Sequence, residues 1–300
     1  MSGGVDAAIV LCAGLGTRLR PLTDERAKPM VPVGDRPALA HVVERVRLAV
    51  PARIVVNVHH RPDDVRAWAE PEEIAVSHER ELLGTAGGVA RAAMLLGAGD
   101  VLVWNGDILS ELDPRELCRA HVRGSVANVA NRANLATLAV LARPAGEGNV
   151  GFGDDGRIVR LRRESFGAET HGGAFLGIHV VGEALRALLP EQGCLVSDVY
   201  LPALRRGERL DAYVTSAPFV DVGSMAEYLA ANARWLAARG VGSWAHRTAV
   251  VSAPIDGSVV GAGAVVDAPA LASVIWPDAR VHSACNRAVV TPRGTTSAPP

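Results

Sequence analysis

The chain carries little net charge and no long apolar run. Across 300 residues, 31 lysines and arginines face 32 aspartates and glutamates, a formal net charge of −1 with a pI of about 6.8. That balance gives no reason to expect nucleic acid or an anionic membrane as a partner, so any cationic chemistry must be local. Apolar residues make up 49%. Their runs, such as "ATLAVLA" at 136–142, fall far short of the roughly 20 residues that cross a bilayer. The opening "MSGGVDAAIVLCAG" has no basic start and only a brief apolar stretch, which argues against a signal peptide. Cysteine is scarce: Cys12, Cys118, Cys194 and Cys285 lie far apart with no C-x-x-C. Reduced thiols in the cytoplasm are expected, not disulfides or a zinc site. His59 and His60 follow a strand-like run, where neighbours point to opposite faces, and are expected to be structural.

What is present alternates. "AAIVLC" (7–12) reads as a buried strand ended by a glycine turn. Leu39, Val42, Val43, Val46 and Val50 recur at helical spacing behind Pro37. Strands are expected at 53–58, 73–79 and 100–109, with helices at 62–69 and 87–97 between them. This order predicts an α/β fold with a doubly wound, mostly parallel sheet in the first half. Further strands are expected at 133–143, 172–181 and 209–216, a hairpin turning at Asp155-Gly156, and helices at 182–189, 197–206 and 223–239. From about residue 246, small and β-branched residues recur at a period near six, with Val259 and Val265 in step, as in a hexapeptide β-helix. The expected organisation is a main domain over 1–245, a short β-helix tail over 246–292, and a frayed, disordered end over 293–300.

The most informative stretch is "LCAGLGTRLRPLTDERAKPMVPVGDRP" (11–37). A Walker A loop needs Lys-Ser/Thr directly after its last glycine, but Thr17-Arg18 follows Gly16. A dinucleotide fingerprint needs a small residue where Leu19 stands. The turn can still bring backbone N–H groups close to phosphate oxygens, and Arg18 can add a bidentate clamp. The pattern "AGLGTRLRPLT…KPMVPV" resembles the sugar-1-phosphate nucleotidyltransferases. The resemblance continues through "NVHH" (57–60), "ELLGTAGG" (81–88), "WNGD" (104–107), "GFGDDGRI" (151–158), "SDVYLPAL" (197–204) and "FVDVGSMAEYLAAN" (219–232). The tail phrase "SVIWPDARV" (273–281) is similar to the left-handed β-helix of mannose-1-phosphate guanylyltransferases.

The resemblance implies a Rossmann-like nucleotidyltransferase sheet and a reaction joining a nucleoside triphosphate to a sugar 1-phosphate. Arg18 and Lys28 would be catalytic, holding the departing pyrophosphate and the reacting phosphates. Leu11, Ala13, Gly14, Gly16, Thr17, Glu79, Gly84 and Thr85 would bind the nucleotide. Asp107 and Asp221 would hold Mg²⁺, although either alone could be a turn or cap residue. Glu79 stands where uridylyl and thymidylyl enzymes carry glutamine. An ionised carboxylate offers acceptors only, which suits the N1–H and N2–H₂ edge of guanine and favours GTP. Gly148 would face the sugar. The family's E-K-P triplet falls on Arg163, Glu164 and Ser165, so its lysine is missing and Arg162 or Arg163 would have to substitute. The expected activity is therefore guanylyl transfer to mannose 1-phosphate or a related sugar. The alternatives are uridylyl or thymidylyl transfer, or a non-catalytic nucleotide-sugar-binding regulator. The tail is too short for an acyltransferase site and fits assembly into a homo-oligomer better.

Overall fold

The structure, a computed structural model, describes residues 4–50, 52–127 and 134–298. Its chain contacts divide it into two compact units. One takes in the chain up to Gly14 together with Val42–Phe219, the other Leu15–His41 together with Val220 onward.

The first unit is built on one large mixed sheet. Strands Asp100–Asn105, Val5–Leu11, Ile54–Val58 and Ala75–His78 lie side by side and parallel. In the three inner strands, residues 7–10, 54–58 and 101–104 are buried on both faces, which is why they read as short continuous apolar runs, while the edge strand Ala75–His78 is mostly half-buried. Helices Pro62–Ala69 and Gly84–Arg91 supply crossovers between them. On the other side of Asp100–Asn105 the sheet turns antiparallel through His171–Val181, which also pairs with Asn134–Arg143 and Val150–Phe152. The expected hairpin closes between Val150–Phe152 and Ile158–Leu161. The core packs Ile9, Val103, Leu138, Ile178, Tyr200 and their neighbours at near-zero exposure. Helix Pro114–Ala127 was not expected from the sequence; it is begun by Asp113, whose Oδ1 accepts the Arg115 N–H at 2.9 Å.

The second unit holds the segment after the glycine turn, helix Met225–Ala238 and the tail. The tail is a short β-helix of three parallel sheets. Every parallel pair joins residues 15 apart, as Trp244 with Val259, Val250 with Val265 and Ile255 with Ala270. Val259 and Val265 thus sit on different faces of one coil, and the repeat is a 15-residue coil rather than a strict six. The end is not frayed as expected. Gly294–Ser297 forms a strand antiparallel to the buried Ala288–Thr291, so a polar segment is held by a ready hydrogen-bonding edge. Residues 299 and 300 lie outside the described residues. Among the described residues, no helix is long and apolar enough to cross a membrane.

Candidate functional site

In the first unit, the C-terminal ends of the parallel strands open into a pocket of about 250 Å³. Open α/β sheets bind ligands at these ends. Leu11, Ala13, Gly14, Glu79, Gly84, Thr85 and Asp107 line it, joined by Asn57, Leu82 and Asn105. Gly14 faces open space, so a ligand can approach its backbone. Asp107 follows strand Asp100–Asn105 in a tight turn. The Trp104 indole N–H spans that turn to the Ile108 carbonyl at 2.9 Å, and the Gly106 N–H bonds Leu11 O at 2.9 Å. Burial, and then the Asp107 charge, pushes the Cys12 thiol up, so Cys12 stays a neutral packing group.

Sequence reasoning gave Asn57 no role, yet it organises the pocket. Its Oδ1 accepts the Cys12 N–H at 2.7 Å, and its Nδ2 donates to Glu79 Oε1 at 2.7 Å. Glu79 Oε2 accepts the Leu83 N–H at 3.0 Å. A buried relay therefore runs from the glycine turn through Asn57 and Glu79 to Leu83, the residue that begins helix Gly84–Arg91. Gly88 leaves room for it, since a Cβ there would meet Asn57 Nδ2 at 2.6 Å and Glu79 Oε1 at 2.8 Å. Glu79 does line the pocket, but it is 1% exposed and both carboxylate oxygens are engaged within the protein. Each oxygen thus already accepts one hydrogen bond from the protein, which leaves fewer acceptor sites for a base than the guanine reading assumed. The available signal was a single polar residue inside the apolar strand "RIVVNV". His59 is structural, with Nδ1 3.0 Å from the Glu79 carbonyl oxygen. Gly84 has φ +74 and lies against the Gly193 carbonyl, while the Thr85 hydroxyl accepts the Leu195 N–H at 2.8 Å.

In the second unit, Arg18, Lys28 and Asp221 come together. Arg18 Nη2 stands 3.9 Å from Asp221 Oδ2, and Lys28 Nζ stands 3.9 Å from Oδ1. Lys28 is only 11% exposed, unlike a solvated surface lysine, whereas Arg18 is 67% exposed. Gly223 makes the room: a Cβ there would meet Arg18 Nη2 at 2.9 Å and Asp221 Oδ1 at 3.0 Å. Ser224, not Asp221, caps the following helix. Gly16 has φ +64 and its carbonyl accepts the Thr23 hydroxyl at 2.9 Å, which fixes the turn leading into Thr17 and Arg18. Among the described residues, no group of three or more His, Cys, Asp or Glu gathers as a metal centre. A metal reading therefore rests on carboxylates completed by substrate oxygens and water, the donors that Mg²⁺ takes.

The segment expected to face the sugar belongs to the first unit. Gly148 has φ +70 and bridges Gly173, whose carbonyl leaves no space for a side chain. Arg160 ties this loop, donating to Gly148 O at 3.0 Å, to Glu147 O at 3.1 Å and to Glu169 Oε2 at 2.6 Å. Of the two arginines open for the missing lysine, Arg162 points its Nη2 to within 3.9 Å of Cys194 Sγ, beside Leu195 and its partner Thr85. Glu164 is paired with Arg205 at 2.7 Å.

Comparison with known proteins bears on this geometry. An N-acetylmuramate alpha-1-phosphate uridylyltransferase of Caulobacter vibrioides is 42% identical over 115 residues, covering 36% of this chain and 48% of the relative. A mannose-1-phosphate guanyltransferase of Aspergillus oryzae is 41% identical over 122 residues, covering 38% of this chain and 34% of the relative. The chain thus spans about half the length, or less, of these curated relatives. The fold matches HddC from Yersinia pseudotuberculosis complexed with GMP-PN, with a TM-score of 0.62 at 21% identity, over 77% of this chain and 100% of that one. Residues 7–162, more than half of the chain, match the family model described as Nucleotidyl transferase. The chain belongs to this family, that of the sugar-1-phosphate nucleotidyltransferases it resembles in sequence.

Proposed function

We propose that the chain transfers a nucleoside monophosphate from a nucleoside triphosphate to a sugar 1-phosphate and releases pyrophosphate. The observation that carries this reading is the pocket. It gathers six residues expected to hold the nucleotide, Leu11, Ala13, Gly14, Glu79, Gly84 and Thr85, with Asp107. An oxygen of the sugar phosphate attacks the α-phosphorus. The bond to the bridging oxygen breaks, and pyrophosphate leaves with that electron pair. Two anions must approach, so catalysis is mostly positioning and charge neutralisation. Arg18 offers a fork of donors to the departing pyrophosphate, and Lys28 a compact charge to the reacting phosphates. Asp107 and Asp221 are the carboxylates that would hold Mg²⁺, and the Gly223 cradle keeps the Asp221 carboxylate clear of a side chain. When bound, the ion neutralises phosphate charge and orients the reacting oxygens.

The specific form of the proposal is GTP with mannose 1-phosphate or a related sugar. The guanyltransferase relatives and the GMP-PN complex support guanine. The engaged Glu79 carboxylate and the uridylyltransferase relative favour uridylyl transfer as the second reading. The cytoplasm as compartment rests on four free cysteines. Assembly into a homo-oligomer rests on the tail. The test is pyrophosphate release with Mg²⁺ from pairs of triphosphates and sugar 1-phosphates. Binding of a triphosphate without release from any pair would favour the non-catalytic relative.

A further inference from the structure

We propose that the C-terminal β-helix braces the segment that carries Arg18 and Lys28, so that Trp276, Tyr228 and Thr291 are positioning residues for those cations. The inference rests on the reading of Arg18 and Lys28 given above. Lys28 sits between two anchors to the rest of the second unit. Before it, Glu25 Oε1 accepts the Thr291 hydroxyl at 2.6 Å, and the Arg26 guanidinium lies over the Trp276 ring, 5.3 Å from its centroid. After it, the Pro32 carbonyl accepts the Tyr228 hydroxyl at 2.5 Å, and that same hydroxyl accepts the Trp276 indole N–H at 3.0 Å. Gly34 then donates its N–H to Asn232 Oδ1 at 2.9 Å and lies flat on the Trp235 ring.

These contacts have the chemistry of a rigid mount. Tyr228 and Trp276 are buried, with 0% and 1% exposure, so their hydrogen bonds have no competing water. Burial also holds the Tyr228 phenol above its ordinary range, which keeps the O–H as a donor to Pro32 at any working pH. The Thr291–Glu25 bond is an O–H to carboxylate bond, the stronger kind. Trp276 and Thr291 both belong to the tail: both meet the flank before Lys28, at Arg26 and Glu25, and Trp276 reaches the flank after it through the Tyr228 hydroxyl. A charge stabilises a transition state only where it is already placed, and a misplacement of about 1 Å can cost about 100-fold. The tail therefore contributes to the site of its own chain, separately from any role in assembly.

The test compares Thr291→Val, Thr291→Ser and Trp276→Phe in the full chain. Two readouts are taken: amide hydrogen exchange over residues 22–34, and steady-state pyrophosphate release. Exchange in that segment is expected to quicken about tenfold in Thr291→Val and Trp276→Phe, with the central parallel strands unchanged. The kcat is expected to fall about tenfold with KM for the triphosphate within about twofold, and Thr291→Ser to recover most of the loss. Unchanged exchange over 22–34 would overturn the brace whatever the activity. Quickened exchange with kcat unchanged would also overturn it, leaving only a structural contact. A wild-type protein that releases no pyrophosphate from any pair fails the proposed function, while the exchange result still decides whether the segment is held.

Discussion

Around Asn57, buried groups are joined at 2.7 Å; around Asp221, two cations stand 3.9 Å from a carboxylate that is 36% exposed. The first arrangement is held without a ligand, because Asn57 Oδ1, Asn57 Nδ2 and both Glu79 carboxylate oxygens each have a partner within the protein. The second is looser: Arg18 is 67% exposed and Lys28 11%, each 3.9 Å from the carboxylate, and the exposed Arg18–Asp221 pair at that distance contributes little to stability. The pocket is thus a shape built in advance by neutral and charge-assisted hydrogen bonds. On the proposed function, the cation cluster is a set of charges whose strength would be realised when phosphate arrives. Mutations in the two regions should fail differently, the pocket through stability and nucleotide affinity, the cluster through turnover.

The largest effect is expected at Asp221. Asp221→Asn should lower kcat at least about 100-fold with little change in melting temperature, because its exposed pair with Arg18 contributes little to the fold. Activity and a thermal melt measured together check this. Lys28→Ala is expected to follow, with kcat down about 30–100-fold. A matching loss of stability alone would make Lys28 a packing residue. Asn57→Ala should act in the opposite way. It strands the Cys12 N–H and a buried carboxylate, costing about 2–3 kcal/mol and several degrees in Tm, with KM for the triphosphate raised.

The two regions were unequally legible in the sequence. Continuous apolar strands and the glycine turn fixed the parallel sheet, and an aspartate following a strand marked Asp107. The partners of Asn57 could not be read, because Glu79 lies 22 residues away and only the adjacent strands bring them together. Residue type likewise reveals the acceptors that Glu79 offers but not its partners, Asn57 Nδ2 and the Leu83 N–H. Helix Pro114–Ala127 went unread because its apolar stripe is thin and its polar face is long. The 15-residue coil was mistaken for a period of six because the spacing inside each coil is uneven, as Val259, Val265 and Ala270 show.

Two smaller effects sharpen the contrast. His179 is buried between Phe175 and Tyr200, and neither ring nitrogen has a hydrogen-bond partner among the described residues. Burial brings it down to about 3. The unfolded chain then takes up a proton near 6.5 that the folded one refuses, so stability is present above about pH 6.5 and lost as pH falls toward 3. The slope from this group is at most about 1.4 kcal/mol per pH unit. Melting temperatures of His179→Phe across that window should show a flatter acid limb, and an unchanged limb would assign the acid loss to other groups. Smallest of all, Glu79→Gln should leave the ranking of triphosphates as it is while lowering Tm by a few degrees, because an amide offers one acceptor oxygen where the relay uses two. A reordered ranking would restore Glu79 as the base reader.

The central claim is catalysis at this pocket, and one measurement reaches it most directly: pyrophosphate release with Mg²⁺ from GTP, UTP, dTTP, CTP and ATP against a panel of sugar 1-phosphates. Release that needs both substrates, highest with GTP and a mannose-type sugar 1-phosphate and lost in Asp107→Asn, is the expected result. Triphosphate binding with no release from any pair would contradict it, and would leave a nucleotide-binding protein whose missing E-K-P lysine Arg162 does not replace.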